Sequence, residues 1–296
     1  MTAPWAAAAA LPSLGAPPAD PLGWPVDPPH VGVGDHTAED RERFERIVRG
    51  HVAYVANMRG RLPDLRYALL DLNAGCGGYV ASKQPRDPAT GRALRQWGTT
   101  PRALRVLERS GVPFRLGAIE HDPRLAALLR TRLSEPEKPG GAPAVDVLVG
   151  RHEDLAAAWV REHMRGKVRG LIVHDPNAEL SRDTLGQLAA LPETHYVDFL
   201  LHFNGAIVKW HGTKRHTTVE EALALCGKRF AYVGPLIGNW QWAWLLLSNG
   251  EKLSTSGGLV RADRPAGRQR LTILAHTRDE LKAARRAAQK GLFDDE

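Results

Sequence analysis

Cysteine is scarce in this chain of 296 residues, which contains only Cys76 and Cys226. Two cysteines so far apart form neither a metal-ligand spacing nor a disulfide framework, so the sequence predicts no metal site and no disulfide-stapled scaffold. A run of about eighteen apolar residues, which a membrane-spanning helix needs, is also missing. These absences favour a cytoplasmic protein that does not associate with membranes.

Basic residues are missing from the first forty positions, which contain five acids and no Lys or Arg before Arg41. The Ala-rich start therefore lacks the positive region of a secretory signal peptide. Its many prolines and alanines do not favour a packed core, so residues 1–36 are predicted to be a disordered leader. The net charge is +7, and the chain carries +12 once these five acids are set aside. Such an excess suits either a nucleic-acid partner or a solvated surface, and both interpretations stay open.

Short apolar stretches alternate with segments of helical periodicity after the leader. The predicted strands are 67–72, 114–120, 144–150, 170–177 and 196–204. Strands that alternate with helices predict right-handed crossovers and a parallel sheet. After a last helix, 229–234 and 240–249 are predicted to pair as an antiparallel hairpin, because only a short segment with Pro and Gly separates them. The expected fold is α/β: a Rossmann-like parallel sheet with helices on both faces and a terminal antiparallel hairpin. The predicted domain spans 37–250, and 251–296 form a basic C-terminal appendage, in which Thr277 and Glu280 form the capping box of a predicted helix.

The first predicted strand ends in the glycine-rich segment DLNAGCGG, residues 71–78. Glycines at this edge of an open parallel sheet let the backbone approach a ligand closely. A dinucleotide fingerprint needs a third glycine that opens into a helix, whereas Val80 stands there and the next helix starts near Thr100, its predicted N-cap. This disfavours a nicotinamide cofactor. Asp71, Asn73, Gly75 and Gly77 are the candidate cofactor-binding residues of this segment.

Two further strand ends carry candidate cofactor contacts. Glu120 ends the second strand, where a carboxylate can accept hydrogen bonds from both ribose hydroxyls of a nucleoside. Asp122 precedes Pro123 and already serves as a helix N-cap, which leaves Glu120 for a ligand. His152 follows the third strand and is the candidate contact to an adenine base. Glu153 and Asp154 are alternatives there, or simply favour a helix N-terminus.

The fourth strand ends in HDPNA, residues 174–178. This segment resembles the Asp/Asn-Pro-Pro-aromatic motif of amino-group methyltransferases, whose polar side chain orients the accepting amine. The resemblance implies catalytic roles for Asp175 and Asn177. Asn177 stands where the motif has its second proline and Ala178 where it has the aromatic ring, so the stacking contact of that motif is missing.

Together these segments resemble the class I S-adenosylmethionine-dependent methyltransferases. Within them, DLNAGCG, TTP at 99–101, EHD at 120–122 and HDPN at 174–177 are similar to the three-Cys-motif partner (TcmP)-like family, often found on bacterial mobile elements. The likeness covers about residues 40 to 250, with Cys76 in place of the usual Pro and Thr100 in place of Ser. It implies S-adenosyl-L-methionine as the cofactor. The alternatives are an inactive methyltransferase-derived binding module and an NAD-dependent oxidoreductase.

Three further features bear on partners. Trp240, Trp242 and Trp244 share one face of a predicted strand, which favours core packing over a platform for bases. The segment KWHGTKRH, residues 209–216, forms a basic loop that is either solvated or lines a phosphate path. Residues 261–290 contain nine Lys or Arg against three acids, and Arg285 and Arg286 are candidates for phosphate contacts.

The last residues, QKGLF at 289–293, resemble the Gln-x-x-Leu-Phe peptide by which bacterial DNA-processing proteins bind the replication clamp. In that interpretation Leu292 and Phe293 are the apolar anchors. A frayed terminus is the alternative.

Overall fold

The computed structural model describes residues 37–80, 95–134, 145–176, 180–204, 219–237, 242–251 and 256–275. The predicted leader, the basic loop 209–216, Asn177, Trp240 and the segment from residue 276 to the C-terminus lie outside these ranges. The helices are α1 (Thr37–Arg59), α2 (Thr99–Arg109), α3 (Pro123–Ser134), α4 (His152–His163), α5 (Arg182–Ala189), α6 (Val219–Leu225) and α7 (Pro265–Ala275). Within the described ranges, no helix combines the length and apolar character required to cross a bilayer.

Eight strands of the described residues form the main sheet. They are β1 (Arg66–Asp71), β4 (Phe114–Glu120), β5 (Val145–Val149), β6 (Val168–His174), β7 (Val197–Asn204), β8 (Phe230–Val233), β9 (Trp242–Ser248) and β10 (Val260–Arg261). Two further strands pair antiparallel with each other, namely β2 (Gly78–Val80) and β3 (Arg95–Trp97). Strand β2 follows the glycine-rich segment after β1, and β3 directly precedes α2.

The strand order is β10-β8-β9-β7-β6-β1-β4-β5. The five strands predicted from the sequence are parallel, and β9 lies antiparallel between β7 and β8. The predicted α/β fold, a Rossmann-like parallel sheet with a closing antiparallel hairpin, is therefore confirmed.

Helices cover both faces of the sheet because each presents one apolar side to it. One core cluster combines buried residues of α1, α2 and α3, and the other combines those of α4, α5, α6 and α7. The central strands between them are buried on both faces, as in β1, where five of the six residues are buried. Strands buried on both faces are typical of parallel sheets, which explains their nearly continuous apolar runs.

The sheet domain extends beyond the boundary predicted at residue 250. Strand β10 pairs antiparallel with β8, and α7 contacts both of these strands. The domain therefore continues to residue 275. A two-residue strand is too short to show a periodic pattern, so β10 could not be predicted from the sequence. The helix predicted from Thr277 onward lies outside the described residues.

Candidate functional site

The chain order of the sheet reverses at β1, because β4 and β6 pair with its two opposite edges. Open parallel sheets bind ligands in the crevice beyond the carboxyl ends of the strands at such a switch point. Three predicted site residues lie around this crevice: Asn73 just after β1, Glu120 at the end of β4, and Asp175 directly after β6. The topology thus brings together residues that lie up to about a hundred positions apart.

Two glycines shape the loop after β1. Gly75 and Gly77 have φ angles of 62° and 77°, in the left-handed region that favours glycine. A Cβ added to Gly77 would lie 2.6 Å from a side-chain carbon of Leu129, so the loop needs glycine there to pack against α3. A Cβ on Gly75 would meet nothing within 4 Å. Gly75 therefore leaves open space beside the backbone, as a close-fitting ligand requires.

The Glu120 carboxylate connects the loop after β1 with the turn after β4. Oε2 accepts a hydrogen bond from the Gly75 N–H at 2.8 Å, and Oε1 accepts one from the Asp122 N–H at 2.8 Å. Each carboxylate oxygen can accept a second hydrogen bond, so both keep capacity for hydroxyl donors. The side chain is partly exposed, which leaves it accessible from the crevice.

Asp71 is fully buried and serves the loop itself. Its Oδ2 accepts hydrogen bonds from the hydroxyls of Thr99 at 2.8 Å and Thr100 at 2.7 Å, and its Oδ1 accepts from the Asn73 N–H at 3.1 Å. Burial raises the pKa of Asp71, although these hydrogen bonds act in the opposite direction. Asp71 thus ties the start of α2 to the end of β1, and its carboxylate contacts protein atoms.

The prediction of Thr100 as the N-cap of α2 is wrong. The helix begins at Thr99, Gly98 is its N-cap residue, and no side chain caps it. The Thr100 hydroxyl is instead completely buried and donates to Asp71. A buried carboxylate without hydrogen-bond donors would cost free energy, which explains why the Thr100 hydroxyl donates to Asp71.

His152 lies at the start of α4 beside the end of β6. Its Nδ1 is 3.2 Å from the Thr184 hydroxyl oxygen, and its ring packs edge-on against His174, with ring centroids 5.4 Å apart. Burial lowers the pKa of His152, so its ring is neutral near pH 7. A neutral, half-buried imidazole beside the switch point has the character of a surface for a flat ligand group.

Asp175 makes two ion pairs with residues from distant parts of the chain. Nη1 of Arg41, on α1, lies 2.5 Å from Oδ2, and Nδ1 of His202, on β7, lies 2.7 Å from Oδ1. Burial by itself would raise the pKa of Asp175, but the charges of Arg41 and His202 lower it below its usual range. Asp175 is therefore held as a carboxylate with both oxygens engaged.

Asp40 completes this charge cluster, which consists of Asp40, Arg41, Asp175 and His202. Asp40 Oδ1 lies 3.4 Å from Nε2 of His202 and accepts a hydrogen bond of 2.7 Å from Nε1 of Trp244. Burial lowers the pKa of His202, but Asp40 and Asp175 outweigh it and raise the pKa to about 10. The cluster thus combines two anions with two cations at the carboxyl end of the sheet.

The tryptophans of β9 enclose the histidine of this cluster. The His202 ring stacks on Trp242 with centroids 4.9 Å apart and an interplanar angle of 17°, and lies 4.6 Å from Trp244. Trp244 is also buried against Phe44 of α1, so the core-packing prediction is confirmed for this residue. An imidazolium between two indole rings gains a cation–π attraction, which stabilises its charged form.

Sequence reasoning missed Asp40, Arg41, His174 and His202 as members of the site. The Arg41–Asp175 contact joins residues 134 positions apart, and no local sequence pattern predicts a contact between residues so far apart in the chain. A usable signal existed for His174, which directly precedes Asp175 at a predicted strand end.

Searches against family models and among curated proteins found no match for this chain. Several solved structures are similar. Protein LPL1258 from Legionella pneumophila is 14% identical with a TM-score of 0.39, covering 71% of this chain and 86% of that one. Magnesium protoporphyrin IX methyltransferase (ChlM) from Synechocystis PCC 6803, with bound SAM, is 13% identical with a TM-score of 0.41, covering 73% and 84%. The glycopeptide N-methyltransferase MtfA, complexed with sinefungin, is 13% identical with a TM-score of 0.37, covering 68% and 87%.

Proposed function

We propose that this protein binds S-adenosylmethionine at the switch point and transfers its methyl group to nucleic acid, or to a protein bound to nucleic acid, in the cytoplasm. The proposal rests on the Glu120 carboxylate, which accepts a hydrogen bond from the Gly75 N–H at the switch point of a methyltransferase-like sheet. A carboxylate at this position suits the two ribose hydroxyls of a nucleoside cofactor.

The residues around the crevice fit such a cofactor. Glu120 would accept the ribose hydroxyls, the open backbone at Gly75 would admit the ligand, and His152 would lie against the adenine. Asn73 offers a side-chain amide to the amino-acid end of the cofactor. S-adenosylmethionine supplies an electrophilic methyl group, and direct displacement asks the protein mainly to position the acceptor.

Asp175 is the residue we assign to the acceptor side of the site. Its lowered pKa makes it a weak base, so orientation of the acceptor is a better role for it than removal of a proton. Asn177 follows two positions later in the chain and would act with it.

The excess of positive charge supports nucleic acid as the acceptor class. The basic loop 209–216 and Arg285 and Arg286 of the C-terminal segment would contact phosphates. The resemblance to the three-Cys-motif partner proteins belongs to the same proposal. Incubation with cofactor labelled in its methyl group, together with DNA, RNA and total cell protein, tests the acceptor class. Label in protein alone would exclude nucleic acid as the acceptor.

A catalytically inactive binding module is the second candidate function, and one observation favours it. Both Asp175 oxygens are engaged by Arg41 and His202, as they would be if the residue only stabilised the fold. Cofactor binding without transfer to any acceptor class would support this candidate. NAD-dependent oxidation remains disfavoured by the glycine spacing, and calorimetric titration with NAD checks it directly.

Replacing Glu120 with alanine is expected to weaken S-adenosylmethionine binding. The loss of charge-assisted hydrogen bonds to the ribose corresponds to about 1.5–3 kcal/mol, or roughly ten- to a hundredfold in the dissociation constant measured by titration calorimetry. Glu108→Ala removes an exposed carboxylate in the last turn of α2 and is the control, expected to bind as the wild type does. An unchanged dissociation constant in folded Glu120→Ala would exclude the ribose role.

Truncation after Ala288 tests the proposed contact with the replication clamp. Full-length protein is expected to bind the clamp in surface plasmon resonance, and the truncated chain to lose this binding, because Leu292 and Phe293 supply the apolar anchors. Leu292→Ala with Phe293→Ala in the full chain is the matched control and is expected to behave like the truncation. Absence of clamp binding by the intact protein would identify the segment as an ordinary terminus.

A further inference from the structure

Asn73 and His174 meet across the switch point. Asn73 lies two residues beyond β1, and His174 is the last residue of β6, the neighbouring strand. Nδ1 of His174 lies 2.6 Å from Oδ1 of Asn73. This hydrogen bond therefore spans the crevice in which a ligand of this fold is held.

The third partner in this network assigns the proton on the His174 ring. The Ser181 N–H donates to Nε2 of His174 at 3.0 Å, so Nε2 is an acceptor. Burial, together with the neighbouring His152, lowers the pKa of His174 to about 3, so the ring is neutral. A neutral imidazole with an accepting Nε2 carries its hydrogen on Nδ1 and donates there.

That donor fixes the orientation of the Asn73 amide. The oxygen must face His174, because only the oxygen can accept, and the nitrogen must therefore face away from it. His174 is 1% exposed, whereas Asn73 is partly exposed, so the accepting end of the amide is directed inward. His152 packs edge-on against the His174 ring and restricts its rotation.

We propose that His174 is a positioning residue, which holds the Asn73 amide so that its N–H groups, rather than its oxygen, are presented to the carboxylate of an amino-acid-bearing cofactor. This inference rests on the proposed binding of S-adenosylmethionine. An amide turned the other way would direct its oxygen at the carboxylate and repel it. The oriented Asn73 amide thus favours an anionic group at this end of the crevice, although its side chain carries no charge.

Two substitutions of His174 separate positioning from simple packing. The amide nitrogen of asparagine can occupy the place of Nδ1, so His174→Asn keeps the donor to Asn73 and loses the acceptor for Ser181. The amide of glutamine reaches the place of Nε2, so His174→Gln keeps the acceptor for Ser181 and loses the donor. Both variants remove part of a buried ring, and His174→Asn leaves the larger space, so an effect on packing alone would be at least as large in His174→Asn as in His174→Gln.

Calorimetric titration of the full-length variants with S-adenosylmethionine is the test. His174→Gln is expected to bind about tenfold more weakly than the wild type, as the loss of one oriented hydrogen bond implies, and His174→Asn within about threefold. Equal weakening in both variants would mean that His174 only packs. Wild-type affinity in His174→Gln would overturn the positioning role of His174 but leave the proposed function intact. Absence of binding by the wild-type protein would overturn the proposed function as well.

Nitrogen-15 NMR of the histidine rings provides a readout that needs no ligand. The His174 signals are expected to show a protonated Nδ1 and an unprotonated Nε2, unchanged between about pH 5 and pH 8. A protonated Nε2, or a titration within this range, would overturn the assigned orientation of Asn73.

Discussion

Replacement of Asp175 by alanine is expected to lower the free energy of unfolding by about 3–5 kcal/mol, the typical cost of removing one partner of a buried ion pair. Arg41 and His202 would then lose the carboxylate that both contact. His202 can relieve part of this cost by releasing its proton, so its pKa is expected to fall in the variant. Urea denaturation followed by circular dichroism measures the change in stability, and NMR titration follows His202.

A matched control removes a carboxylate that is paired with arginine but exposed. Asp263 contacts Arg261 at 2.6 Å, and its side chain is 58% exposed. Asp263→Ala is expected to change the free energy of unfolding by less than about 1 kcal/mol, because water screens such pairs. If Asp175→Ala were as stable as the wild type, the charge cluster would contribute no net stability.

The substitution Asp175→Asn tests whether this residue acts in cofactor binding or in methyl transfer. Asp175→Asn keeps the shape of the side chain and one carboxyl-like oxygen, so enough folded protein should remain for assays. Because we assign Asp175 to the acceptor side of the site, S-adenosylmethionine affinity is expected to stay within about threefold of the wild type, while methyl transfer should be abolished. If the affinity falls as strongly as in Glu120→Ala, Asp175 belongs to the cofactor side of the crevice.

The sequence predicted the order and type of the elements well because their signals are local. Strand β4 was expected at 114–120 and occupies those residues, since a buried strand reads as an apolar run that ends at a polar residue. The position of Asp122 before Pro123 predicts an N-cap for α3, and the Arg124 N–H does donate to Asp122 Oδ1 at 2.8 Å. Local chemistry was sufficient to predict the strand and the cap, and the role of Glu120 stays a prediction.

The charge cluster could not be predicted in this way. Asp40 and Arg41 lie in the first turns of a helix, where an acid is expected to face the helix dipole and an arginine to face solvent. Their partners lie on β7, on β9 and directly after β6, and only the strand order brings these chain segments together. The position of the Thr100 hydroxyl could not be predicted for the same reason. Its hydrogen-bond partner, the buried carboxylate of Asp71, lies far away in the sequence.

Alkaline pH should destabilise the protein through His202. The pKa of His202 in the folded protein is about 10, against 6.5 for an ordinary histidine, so between these values the folded state holds a proton that the unfolded state has lost. The stability that His202 contributes is therefore complete below pH 6.5, declines as the pH rises, and is lost above about pH 10. The slope attributable to His202 is at most about 1.4 kcal/mol per pH unit.

Asp175 sets the acid limit of the same cluster. Its pKa is lowered in the folded state, so its contribution is present above its ordinary value of 3.8 and declines as the pH falls below it. The cluster is expected to stabilise the fold most between about pH 4 and pH 6.5.

Free energies of unfolding measured from pH 5 to pH 9.5 test this pH profile when the wild type is compared with His202→Gln. The variant cannot titrate at this position, and the other titrating groups contribute equally to both proteins. The difference in free energy of unfolding between the wild type and His202→Gln should therefore become steadily smaller above pH 6.5. His195→Gln, at an exposed histidine just before β7, is the control and should follow the wild-type curve. A constant difference between wild type and His202→Gln across this range would mean that His202 does not carry a proton in the folded protein. The ion pair with Asp175 would then be an ordinary hydrogen bond, and Arg41 alone would keep that carboxylate ionised.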